Sequence, residues 1–245
     1  MATAVERREA LKRIYLDEAK DCVRCPLSES RTNVVFGAGD ADAGLMFVGE
    51  APGRHEDEAG LPFVGQAGKL LDRLLGEVGL ERANVFVCNV LKCRPPGNRD
   101  PQPGEIDACQ DYLRRQVKLI EPKVVCTLGN FATKLLRGDP TGITRVHGRP
   151  EVLVIGERAV RLYPLFHPAA ALYTPSTLDT LRDDFARIPG LLDEPAPDPP
   201  PAAEVPEPAI EEPAVAAGPE PEPESAPPPR DERTGSPRDE QMGLF

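Results

Sequence analysis

The sequence predicts an α/β fold: a three-layer α/β/α sandwich around a four-stranded parallel central sheet, followed by a disordered C-terminal tail. Three observations carry this. Short continuous apolar runs alternate with amphipathic helical segments, which is the pattern of parallel strands buried on both faces. Polar, Gly- and Pro-rich loops follow those runs on one side. From Asp193 onward the composition changes altogether, with 15 of the 29 prolines and 14 acidic against 3 basic residues. The net charge of −11 therefore comes from the tail, and residues 1–192 are formally neutral. Neutrality leaves room for a local basic face, so the low overall charge does not exclude nucleic acid as a partner.

The elements follow in order. Residues 4–20 carry Leu11, Ile14, Tyr15 and Ala19 at helical spacing. Gly44 to Val48 is a buried strand that runs into the loop Gly49-Glu-Ala-Pro-Gly53. Residues 67–79 form a helix with Leu70, Leu71, Leu74, Leu75 and Val78 on one face. Asn84 to Val90 is the second strand, and the loop to Pro103 follows it. Pro103 to Ile120 is a helix with proline at its start. Lys123 to Leu128 is the third strand, and Gly129 to Leu136 a helix. Val152–Ile155 and Ala159–Leu165 make a hairpin, His167-Pro168 ends it, and Leu178–Ile188 is the last helix. The loops Glu50–Asp57, Asn89–Arg99 and His167 onward meet beyond the strand ends, where open α/β sheets bind ligands.

The chain has no run of 18 apolar residues, and its first 21 residues are charged throughout. Neither a membrane span nor a secretory signal is expected, and cytoplasmic placement follows. In a reducing compartment the six cysteines point to ligation or packing rather than disulfides. Cys22 and Cys25 form a C-x₂-C pair beside a proline. Cys93 and Cys109 straddle a loop and the start of a helix. Four thiolates suit a structural zinc ion or a [4Fe–4S] cluster, and spacing leaves both open. Cys88 and Cys126 lie within strands and read as core residues.

Four motifs then occur together: Val48-Gly-Glu-Ala-Pro-Gly-Arg-His-Glu-Asp57, Gly60-Leu-Pro-Phe-Val-Gly-Gln-Ala-Gly68, Asn89-Val-Leu-Lys-Cys-Arg-Pro-Pro-Gly-Asn-Arg99 and Phe166-His-Pro168. In this order, over about residues 5–190, they resemble the type-four uracil-DNA glycosylases. The resemblance implies the four-stranded parallel sheet and a [4Fe–4S] cluster on Cys22, Cys25, Cys93 and Cys109. It implies hydrolysis of the bond between uracil and deoxyribose in DNA after the nucleotide is flipped out.

By the same resemblance, Phe63 stacks on uracil and Asn89 reads its O4 and N3–H. His167 stabilises charge on O2 as a donor. Gly49, Ala51 and Gly53 let the loop approach the base. The best-known uracil glycosylases carry a water-activating Asp where this chain has Ala51, so Glu50, Glu56 and Asn98 are the candidates for handling the water. Arg94, Arg99, Arg145 and Arg149 are candidate phosphate contacts, and Leu172, with Tyr173 beside it, a candidate wedge for the space the base leaves.

Three segments result: a catalytic domain over 1–192, a Pro/Glu-rich linker over 193–240 and a terminal peptide over 241–245. That peptide, Gln241-Met-Gly-Leu244-Phe245, resembles the motif by which bacterial repair proteins dock on the sliding clamp, with Gln241, Leu244 and Phe245 as anchors. A monomer at the nucleoid is expected. The competing reading from another class is a non-catalytic iron–sulfur DNA-binding module tethered to the clamp.

Overall fold

The computed structural model describes residues 2–198. The terminal peptide, Gln241 to Phe245, and all but the first six residues of the linker lie outside them. Helix α1 (Ala4–Ile14) starts at a capping box in which Thr3 Oγ1 accepts the Glu6 amide and Glu6 accepts the Thr3 amide. The single helix expected over 4–20 ends here as α; Tyr15–Ala19 continues as one wider turn.

The sheet has six strands in the order β1-β3-β2-β4-β6-β5. These are β1 (Ala38–Gly39), β2 (Leu45–Gly49), β3 (Phe86–Asn89), β4 (Val124–Leu128), β5 (Glu151–Ile155) and β6 (Arg158–Leu165). The four expected parallel strands are its centre: β3, β2, β4 and β6 pair in parallel. The four-strand expectation is corrected at the edges, where β1 and β5 add antiparallel. β1 is two residues long, too short for any periodicity, and β5 is the outer half of the expected hairpin. Val152 and Val154 on β5 are exposed, as an edge strand with one solvated face requires.

Alternate residues of the central strands enter opposite cores. Met46, Val48, Cys88, Val125 and Leu162 face α1 and α4 (Pro103–Ile120). Leu45, Phe47, Val87, Cys126 and Tyr163 face α3 (Gln66–Glu77), α8 (Pro175–Phe185) and α9 (Ile188–Asp193). The three layers follow from this alternation. Leu71, Leu74 and Leu75 of α3 are fully buried, each stabilising the fold by roughly 1.5–3 kcal/mol through removal from water. Helix α4 begins at Pro103, and Gln102 and Glu105 cap its start reciprocally.

Four short or mid-length helices complete the fold: α2 (Arg54–Ala59), α5 (Asn130–Arg137), α6 (Ile143–Val146) and α7 (Pro168–Ala171). The expected loop Glu50–Asp57 is thus half helix. Its residues are polar enough to hide the turn, which buried Asp57 fixes by accepting the Thr32 and Asn33 amides. None of the helices among the described residues is long and apolar enough to cross a membrane.

Candidate active site

Gly49 and Asn89 are register partners at the carboxyl ends of β2 and β3, and His167 follows the end of β6. β2 sits where the chain path switches from one side of the sheet to the other, the usual ligand position in this architecture. There a cavity of about 440 Å³ opens. Its wall includes Glu50, Ala51, Gly53, Glu56, Phe63, Asn89, Asn98, Arg99 and His167. The three loops picked out by sequence therefore do converge. Pro52, Ala67, Pro95 and Ala169 complete the wall; as small or apolar residues they carried no chemical signal.

Phe63 has φ of 55°, left-handed backbone that costs a non-glycine residue free energy. Its surroundings impose the conformation. Glu56 Oε1 accepts the amides of Val64 and Gly65, both at 3.1 Å. Arg82 Nη2 donates to the Pro62 carbonyl at 2.7 Å. A Cβ on Gly68 would stand 1.7 Å from the Phe63 carbonyl oxygen, so only glycine lets α3 close against this loop. The result aims the Phe63 ring at His167, with ring centroids 5.7 Å apart and planes tilted by 30°. Glu56, a candidate for handling water, is occupied at one oxygen in holding this loop.

Asn89 is 2 % exposed. Its carboxamide makes no hydrogen bond to protein among the described residues, although its main-chain carbonyl accepts Lys92 Nζ at 2.7 Å. A Cβ on Gly49 would lie 2.3 Å from Asn89 Oδ1 and 2.9 Å from Phe63 Cζ. Gly49 thus matters for close approach, letting amide and ring meet.

His167 is the N-cap of α7, and its Nδ1 accepts the Ala169 amide at 3.1 Å. A nitrogen that accepts cannot carry the proton, so the neutral ring bears it on Nε2. Burial pushes the His167 pKa down, more strongly than the negative charge of Glu56 raises it. The imidazole is therefore a neutral donor. Burial pushes Glu50 up, and the charge of Asp100 adds to that. Glu50 and His167 also border a wider cleft of about 700 Å³ with Asn130, Phe131 and Lys134 along it.

The candidate arginines divide. Arg99 is part of the cavity wall, held by Glu105 through bonds of 2.9 and 2.5 Å. Arg94 donates to Asn98 Oδ1 at 2.7 Å, which engages that candidate too. Arg145 and Arg149 are exposed and stand outside the wall, as does Leu172, with its neighbour Tyr173 88 % exposed. His147 is hydrogen-bonded to Asp184 at 2.8 Å.

Cys93 and Cys109 are buried in one core, and Cys22 and Cys25 are half-buried against that same core. Burial, opposed by the Arg31 charge and helped by Cys109 and Cys25, pushes the Cys93 thiol up to about 11. Cys109, raised chiefly by burial, also feels Cys25 and Cys22. Arg31 Nη1 donates to Cys93 Sγ at 3.5 Å, and the Lys92 amide donates to Cys109 Sγ at 3.2 Å. Among the described residues, no three His, Cys, Asp or Glu side chains are placed to hold a single metal ion. Cys88 and Cys126 are buried in their strands as expected.

Comparison with known proteins agrees with this geometry. Residues 36–188 match the model of the uracil DNA glycosylase superfamily. A type-4 uracil-DNA glycosylase of Sulfurisphaera tokodaii is 48% identical over 177 residues, covering 70% of this chain and 80% of that protein. Proteins of the same name from Archaeoglobus fulgidus (70% of this chain, 88% of that protein) and Thermotoga maritima (67% and 85%) are each 45% identical. The chain belongs to the uracil DNA glycosylase superfamily and, within it, to the type-4 group.

Proposed function

We propose that this protein is a DNA repair glycosylase that flips uracil out of DNA and hydrolyses its bond to deoxyribose, leaving an abasic site. The observation that carries the reading is the meeting of Phe63, Asn89 and His167 on one cavity wall. Phe63 offers a face for stacking, worth about 1–3 kcal/mol per base. The Asn89 amide donates to uracil O4 and accepts from N3–H, a pattern that cytosine reverses. Uracil departs as an anion, and the Nε2–H of His167 meets the charge developing on O2. The sugar left behind is cationic, so an incoming water needs little activation. Glu50 is the carboxylate left to orient it, since Glu56 and Asn98 are engaged in holding their loops. The cleft shared by Glu50 and His167 leaves room for the sugar and the adjoining strand. Arg145 and Arg149, exposed and without an ion pair among the described residues, are placed to meet phosphates, and Leu172 to fill the vacated stack.

Cys22, Cys25, Cys93 and Cys109 would hold a [4Fe–4S] cluster. An all-thiol donor set, already receiving N–H···S bonds from Lys92 and Arg31, suits it. Held by these four residues, it would tie the turn at Cys22 to the loop that starts at Asn89.

The test is a uracil-containing oligonucleotide incubated with the protein and treated with alkali. Strand cleavage supports the enzyme; tight binding without cleavage would favour the non-catalytic module. Gly49→Ala is expected to cut excision at least 100-fold while the melting transition is kept, because the added methyl must displace Asn89 or Phe63 inside the cavity. Excision within threefold of wild type would contradict the pocket assignment.

The terminal residues Gln241, Leu244 and Phe245 are read as a sliding-clamp anchor, which would raise the local concentration of the domain at replicating DNA. Deleting 241–245 is expected to abolish heat release on titration with the clamp while leaving excision on short oligonucleotides unchanged. Undiminished clamp affinity would end that assignment.

A further inference from the structure

Lys92 is 1 % exposed, a lysine sunk into the core between Asn89 and the cysteines. Its Nζ donates to the Asn89 carbonyl and to Gln116 Oε1, each at 2.7 Å. Gln116 Nε2 in turn donates to the Phe36 carbonyl at 2.8 Å. The Lys92 amide donates to Cys109 Sγ at 3.2 Å, and its carbonyl accepts the Val35 amide at 2.8 Å. The amide, carbonyl and ammonium of this residue are thereby all engaged.

Lysines are almost never fully buried unless an opposite charge pairs with them. Among the described residues no carboxylate forms an ion pair with Lys92. A cluster ligated by four thiolates is net negative and would supply the missing counter-charge. The Asn89 carboxamide has no hydrogen bond to protein of its own among the described residues, so its aim depends on the main chain beneath it. That main chain is what Lys92 Nζ grips.

Resting on the glycosylase reading above, we infer that Lys92 is a positioning residue: its ammonium, set against the cysteine-bound cluster, fixes the strand end that aims Asn89 at the base. The cluster and the base-reading amide are then coupled through one side chain rather than only through the fold.

The experiment compares full-length wild type with Lys92→Met, which keeps the volume and removes the charge. Iron per chain, cluster reduction potential by protein-film voltammetry, kcat and KM for uracil, and affinity for DNA bearing an abasic analogue are measured. The variant is expected to keep its iron, with a more negative potential, because a nearby cation favours the added electron. kcat is expected to fall tenfold or more, while affinity for the abasic analogue stays within twofold, since that DNA presents no base to Asn89. An iron-loaded variant with wild-type potential and wild-type kcat overturns the inference. Gln116→Leu covers the case in which Lys92→Met sheds its iron: it keeps the charge and removes one of the two acceptors. It is expected to lower kcat at least threefold with the potential unchanged, and wild-type kcat there overturns the inference. Wild-type protein that leaves uracil in place would instead refute the glycosylase reading itself, whereas active wild-type protein without iron would overturn the cluster and with it this coupling.

Discussion

Replacing His167 by alanine is expected to lower kcat for uracil excision by about 10²–10³, the usual cost of losing one preorganised donor to a developing oxyanion. KM should change little, because the bond matters most once charge has moved onto O2. The hydrogen-bond pattern makes a further demand. Nδ1 already accepts the Ala169 amide, so protonating the ring would break that bond in a buried place. Burial accordingly holds the His167 pKa below its ordinary value, which is about 6.5. Single-turnover rates should therefore not fall as pH drops from 8 to about 6.5, and any histidine limb should lie below that. A fall in rate as pH rises through that range, absent in His167→Ala, would show a cationic histidine at work and refute the neutral donor.

Folding stability carries the same sign. A folded-state pKa below the unfolded one means the unfolded chain takes the proton first. The contribution of His167 to stability is then complete above about pH 6.5 and declines as pH falls below it. His167→Ala should flatten that part of the stability profile measured by urea unfolding.

The parallel centre of the fold was legible because its strands are continuous apolar runs, such as Leu45–Val48 and Val124–Leu128, which only a sheet covered on both faces makes stable. The edges were not. Ala38–Gly39 pairs with β3 for two residues and leaves no pattern. The residue types at the site were legible as well, since a ring, an amide and an imidazole at strand ends are what base recognition requires. Their support was not, because it comes from distant chain. The backbone of Phe63 depends on Gly68, Glu56 and Arg82. Arg99 read as a phosphate contact because nothing local shows that Glu105, six residues on, turns back from the start of α4 to hold it. Lys92 had one visible signal, a charge within the apolar run Val90-Leu91-Lys92-Cys93. Sequence alone leaves open whether such a lysine bends out to solvent or is buried.

Asn89→Asp is expected to invert the base preference of the site. Uracil presents an acceptor, O4, beside a donor, N3–H, and the amide answers both with one donor and one acceptor. An ionised carboxylate has acceptors only. One oxygen could still accept N3–H, but the other would face O4 across a buried wall with no donor, and the desolvation of an unpaired acceptor is costly. A loss of about 10³ in kcat/KM for uracil follows, since sites built around a polar match discriminate at that level or above. The cavity also pushes a carboxyl toward its protonated form, because burial disfavours the charge. Once protonated, the introduced carboxyl presents a donor beside an acceptor in the order that cytosine N3 and N4 require. Cytosine excision, which the wild-type amide disfavours, should therefore appear in Asn89→Asp and strengthen as pH falls, with uracil excision partly regained because a carboxyl protonated on its other oxygen matches the amide. Oligonucleotides carrying a single unpaired cytosine or uracil, assayed from about pH 5 to 8, around the carboxyl and histidine ranges, would read both arms. Gly49 is what makes the inversion sharp: the Cβ that it lacks would stand 2.3 Å from Asn89 Oδ1, so the wall leaves little room for the new carboxyl to rotate away. Uracil turnover within tenfold of wild type, with no cytosine released at acid pH, would mean that some other group reads the base and that Asn89 serves only as part of the rim.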